Sequence, residues 1–148
     1  MRKLPLFRFS WLGVLMGLAL LFGGLAKADE PAVSPTEWQA VIAGQIQAFR
    51  NHDAPGAIMF AGEAFHQAFT DPKDFFRVII NSGYAPIMES RSQSFGPYQM
   101  IAPDEVAQEV KLLGNDQSVY EAIYLLSKES EGWRVHGVQL MKTPGMGV

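Results

Sequence analysis

The stretch VAQEVKLLGNDQSVYEAIYLL, residues 106–126, decides the fold of this chain. Two runs rich in β-branched and aromatic residues flank Gly114-Asn115, and both largely alternate in polarity, as strands with one buried face do. A two-residue turn at Gly114-Asn115 pairs Leu113 with Asp116, and hence Val110 with Val119 and Val106 with Ile123. In that register one face carries Val106, Val110, Leu112, Val119, Ile123 and Leu125, with Gln108 directly opposite Glu121. Glu105, Glu109, Lys111, Tyr120, Tyr124 and Leu126 share the other face, which reads as outward.

Further breaks at Phe95-Gly96-Pro97, Pro103-Asp104 and Glu129–Gly132 extend this hairpin into an antiparallel meander. The expected strands lie near 87–95, 98–102 running into 104–113, 116–128, and 133–142. Upstream of Tyr84 the period is helical. Ser34-Pro35-Thr36-Glu37 combines an N-cap serine, proline at the first helical position and glutamate at the third. Trp38, Val41, Ile42, Ile46 and Phe49 then form one apolar stripe to about Asn51. Asp53-Ala54-Pro55 starts a second helix and Asp71-Pro72-Lys73-Asp74 another, which ends at Gly83 with Pro86 beyond. Helices followed by a meander predict an α+β fold, with N-terminal helices packed on a curved antiparallel sheet. Trp38, Phe49, Phe75, Phe76, Ile79 and Val110 are the expected core.

At 148 residues there is room for one domain. Cysteine is absent, which excludes disulfides, thiolate metal sites and a catalytic thiol. Arg2, Lys3 and Arg8 precede an uncharged, mostly apolar run from Trp11 to Leu25, and Ala26-Lys27-Ala28 follows. This pattern is that of a secretory signal, residues 1–28, with cleavage after Ala28. The 18 residues between Arg8 and Lys27 are also just long enough for an uncleaved anchor. The expected organisation is a signal at 1–28, a polar leader at 29–35, one domain at 36–142 and a tail at 143–148, in a periplasmic or secreted protein. From Asp29 onward eight basic residues face 15 acidic ones. That balance argues against nucleic acid and, after cleavage, against a membrane surface.

The Trp38-Gln39 helix start, Gly83-Tyr84-Ala85-Pro86 and Gly132-Trp133-Arg134-Val135-His136-Gly137 resemble a bacterial family known as domain of unknown function 4864, over nearly all of Glu37 to Met141. That family is similar to the nuclear transport factor 2-like, or cystatin-like (SnoaL-like), cone fold. The resemblance implies a cavity between helices and sheet. The cone fold hosts isomerases, dehydratases and non-catalytic members alike, and the resemblance transfers no catalytic residue.

A carboxylate on an apolar sheet face must be hydrogen-bonded, neutralised or wetted by a cavity. Gln108 and Glu121 are therefore candidate ligand-binding groups, with Glu121 as base in an alternative proton-transfer reading. A four-residue loop at Glu129–Gly132, pairing Lys128 with Trp133, puts His136 on the same face as polariser; a three-residue loop sends it to the other. Tyr84, Arg91 and Tyr98 fall near the expected cone mouth, where Arg91 is a candidate to hold an anion. His52 and His66 lack metal-ligand spacing, and no motif points to a metal or cofactor. Tyrosines interleaved with charges make the outward sheet face a candidate homodimer surface. The expected function is a binding or association module whose partner is a small, partly apolar molecule in the cone or a second copy of the chain.

Overall fold

The computed structural model describes residues 33–143, so the expected signal, the leader up to residue 32 and the tail from 144 lie outside the described residues. Helix α1 spans Pro35–Arg50 and buries Trp38, Ile42, Gln45, Ile46, Ala48 and Phe49. Ser34 stands at its N-cap, with Oγ against Thr36 Oγ1 at 2.8 Å instead of on a backbone amide. Asp53 Oδ1 accepts from Gly56 N at 3.0 Å to open α2, Ala54–Met59. Asp71 Oδ1 accepts from Lys73 N at 3.0 Å to open α4, Pro72–Ile79, after a short α3 at Glu63–Ala68. Each such cap contributes about 1 kcal/mol by satisfying an amide that the helix leaves without a partner.

The sequence reading misplaces the junction to the sheet. A π turn, Ile80–Tyr84, follows α4, and within it Gly83 has φ 104°, a conformation costly for any residue with a Cβ. Pro86 then sits in the first turn of α5, Ala85–Glu89, so the first strand starts at Ser90 and not near 87. Proline stops one helix and suits the start of the next for the same reason, its missing N–H and fixed φ.

Strands β1 (Ser90–Ala102), β2 (Glu105–Gly114), β3 (Val119–Glu129) and β4 (Gly132–Lys142) form one antiparallel sheet in that order. Phe95-Gly96-Pro97 does not divide β1. One extra residue is absorbed between the pairs Phe95–Val110 and Tyr98–Gln108, and this bulge accommodates a proline that has no N–H to give.

The central hairpin corrects the expected register. Leu113 pairs with Val119, Val110 with Ala122, Gln108 with Tyr124 and Val106 with Leu126, three residues away from the two-residue-turn alignment. The connection is longer because Asp116 Oδ1 accepts from Ser118 N at 3.0 Å, Gln117 adopts φ 69° and Gly114 N donates to Ser118 O at 2.7 Å. An odd shift turns β3 over. Tyr120, Ala122, Tyr124 and Leu126 therefore face the helices, while Glu121, Ile123 and Leu125 face away. The inversion keeps the Glu121 carboxylate out of a dry interior, where it would cost several kcal/mol.

In the last hairpin Lys128 does pair with Trp133, and Glu129 with Gly132 closes it further. A second bulge follows, since Leu126 pairs with Val135 but Leu125 with Gly137, leaving His136 as the extra residue. Helices on one face of a curved four-stranded antiparallel sheet give the α+β architecture, compatible with a nuclear transport factor 2-like cone.

The core joins α1, α2, α4 and α5 to the inner face of β2–β4. Of the expected core, Trp38, Phe49, Phe75 and Val110 are buried, whereas Phe76 and Ile79 are only half-buried against it. The Phe75 ring is 2% exposed and packs edge-on to Phe65 (5.6 Å) and Phe69 (5.7 Å). Phe75→Ala is expected to cost about 3–5 kcal/mol in chemical denaturation, and Phe76→Ala distinctly less. Equal losses would contradict this assignment of the helix face.

Candidate functional site

A cavity of about 300 Å³ opens between α1, α4, the π turn, α5 and β4. Its wall is mainly Phe49, Phe65, Phe75, Ile79, Ile87 and Val138. Each comes from an apolar stripe or an inward strand position, so the surfaces that build the core also build the site. Three polar side chains reach the wall: Gln45, Ser82 and Tyr84. Tyr84 Oη donates to Val138 O at 2.9 Å, tying the π turn to β4, and Ser82 Oγ donates to Val78 O at 2.6 Å. Gln45, 4% exposed, donates through Nε2 to Ala57 O at 2.9 Å and so joins α1 to α2. Among the sequence candidates Tyr84 alone reaches this wall. Gln45 and Ser82 went unrecognised, although Gln45 carries a signal: a polar residue three positions after Ile42 and seven after Trp38 stands on the apolar stripe.

Gln108 and Tyr98 come together elsewhere. They pair across β1 and β2 and meet Trp38, whose indole lies edge-on to Tyr98 at 5.0 Å and to Trp133 at 5.3 Å. Gln108 is fully buried. Its Oε1 accepts from Trp38 Nε1 (2.8 Å) and Gln39 Nε2 (3.1 Å), and its Nε2 donates to Gly96 O (2.8 Å) and Glu109 O (2.9 Å). Every bonding direction of the amide is taken within the fold.

Glu121 pairs with Lys111 on the outer face and not with Gln108. There it borders a groove of about 260 Å³ with Glu109 and Met141. A wider groove of about 750 Å³ crosses the same face and includes Ile101, Ile123, Leu125, Gln139 and Met141. Arg91 is exposed at the start of β1 and outside the wall of the helix–sheet cavity. The nearby half-buried cation is Arg50, which donates from Nη2 to Ser90 Oγ at 3.0 Å and Gln93 Oε1 at 2.7 Å. Burial lowers its pKa, and its charge partly offsets the burial that pushes the Tyr124 phenol well above its usual range.

His136, on its bulge, does not join an inner face with Glu121. Its Nε2 lies 2.6 Å from Glu129 Oε2, which also accepts from Glu63 N at 3.1 Å. The ring covers Gly62, where a Cβ would overlap it. Gly62 N donates to Val135 O at 2.9 Å, and Val135 N to Phe60 O at 2.8 Å, so this short segment lies along β4. Among the described residues no group of three His, Asp or Glu side chains is placed to hold a metal ion, and no helix is long and apolar enough to cross a membrane.

Helices closing over a curved antiparallel sheet, with a small apolar cavity between them and few polar groups in its wall, define a cone-type α+β domain. The chain belongs to the family described as Domain of unknown function (DUF4864), whose model matches residues 32–148. Comparison with curated proteins gives no match.

The Glu129 carboxyl is raised by burial, but the Glu63 amide, the His136 imidazole and the charges of His136 and Arg134 outweigh this and hold it below the ordinary value. A depressed carboxylate stabilises the fold above its unfolded pKa, about 4.3, and loses that contribution as pH falls through the folded value. Glu129→Gln is therefore expected to melt lower than wild type at pH 7, with the two curves converging in acid. Parallel melting profiles from pH 7 to 3 would contradict the linkage.

Proposed function

We propose that this chain is an exported module, periplasmic or secreted, that binds a small, partly apolar molecule in the cavity between helices and sheet. The observation that supports it is the cavity itself, about 300 Å³ with an aromatic and aliphatic wall and three polar side chains. Small-molecule sites combine this low polarity with a few fixed polar groups, at volumes of roughly 300–1,000 Å³. Export is supported by the basic start, apolar run and Ala26-Lys27-Ala28 junction. The proton-transfer alternative loses its base, because Glu121 faces away from the helices.

A second reading, association of two copies through the outer sheet face, draws support from the groove that includes Ile123, Leu125 and Met141. Native mass spectrometry of protein purified from a periplasmic extract tests both readings. The binding reading expects a retained small molecule that Val138→Phe, filling the cavity, removes. Bare chains in wild type and variant would overturn it, and a dimer peak would favour association.

A further inference from the structure

The polar side chains of the cavity have all given their donors to the backbone, so what they offer a ligand is acceptors. Tyr84 and Ser82 each give their single hydroxyl proton to a backbone carbonyl, Val138 O and Val78 O, so toward a ligand both oxygens can only accept. Gln45 is oriented by its bond to Ala57 O, which requires a donor and so fixes the amide nitrogen at that end. Its oxygen points elsewhere and has no hydrogen-bond partner among the described residues. It is not sealed in hydrocarbon either, since Thr143 Oγ1 alone, among the described side chains, is a buried polar atom left unpartnered. Gln45 is 4% exposed and borders the cavity, so a molecule held there has its oxygen within the same wall.

None of the residues bordering the cavity is charged. Arg50, a half-buried cation on α1, is engaged by Ser90 and Gln93 on β1. A carboxylate or phosphate entering the cavity would find no cation, and an ammonium no counter-charge, so desolvation would go uncompensated. The volume suits one ring, being about twice the ~150 Å³ of a cavity that admits benzene. The wall presents the rings of Phe49, Phe65 and Phe75.

Resting on the reading of this cavity as a binding site, we propose that its ligand is a small neutral hydrogen-bond donor with a single-ring hydrocarbon body, a phenol, whose O–H is given to Gln45 Oε1. Affinity for the ring comes from the aromatic wall, and selectivity comes from the buried acceptor. A ligand that fills the cavity without donating leaves the amide oxygen unpaired, and that penalty separates otherwise isosteric molecules.

The full chain, titrated with 4-methylphenol, 4-methylanisole and 4-methylbenzoate under ¹H–¹⁵N NMR, provides the test. The phenol is expected to bind at least about tenfold more tightly than its methyl ether, the benzoate not to bind, and the Gln45 side-chain amide to shift. Gln45→Met is expected to bring phenol and ether to parity. If that variant does not fold, the phenol-to-ether ratio and the Gln45 shift in the wild type decide. Equal binding of phenol and ether, both abolished by Val138→Phe, would overturn the donor requirement and leave the cavity reading standing. No binding of any probe, or binding indifferent to Val138→Phe, would overturn both.

Discussion

Burying a primary amide obliges the fold to meet every one of its hydrogen-bonding needs, and at Gln108 that obligation organises three elements at once. The α1 indole and Gln39 reach down to its oxygen, while its nitrogen holds the Gly96 carbonyl within the β1 bulge and the Glu109 carbonyl of its own strand. Any slip of α1 along the sheet, or of β1 past β2, would leave a buried donor or acceptor without a partner. Such a group costs about 1–3 kcal/mol. The apolar contacts of Trp38 with Tyr98 and Trp133 supply attraction, and the amide supplies position.

With α1 fixed in this way, the opposite end of the helix–sheet interface opens as a cavity. Gln45 and Phe49, about two and three turns beyond the residues near Gln108, border it together with α4 and the π turn. Bulges do the rest. The one in β4 changes which residues face inward, so that Val135 and Val138 both point to the helices, three positions apart instead of two or four.

The order of elements, the caps at Asp53 and Asp71 and the apolar stripe of α1 were legible in the sequence because each depends on neighbours within a few residues. The face of β3 was not. Gly114-Asn115 carries the composition of a tight turn, but the Asp116 side chain and the left-handed Gln117 extend the connection, and one odd shift exchanged Glu121 for Tyr124 opposite Gln108. Register is a long-range property: both candidate faces hold aliphatic residues, and only the packing of helices distinguishes them. The cavity was legible in part. Tyr84 lies between Gly83 and Ala85-Pro86, a local signature, whereas Gln45 is set by the Ala57 carbonyl and meets Phe75, Ile87 and Val138 only through the fold.

Strands at the border of a sheet offer unpaired amides and carbonyls to any passing chain, and β4 is such a border. At Val135 both groups are already engaged by Phe60 and Gly62, in a segment too short to count as a strand and held down by the Glu129–His136 pair across the glycine. At this one position the border offers no free backbone group to another strand. Gly62 and His136 thereby each have a packing reason to be what they are, the one leaving room for the ring and the other closing over the bridge.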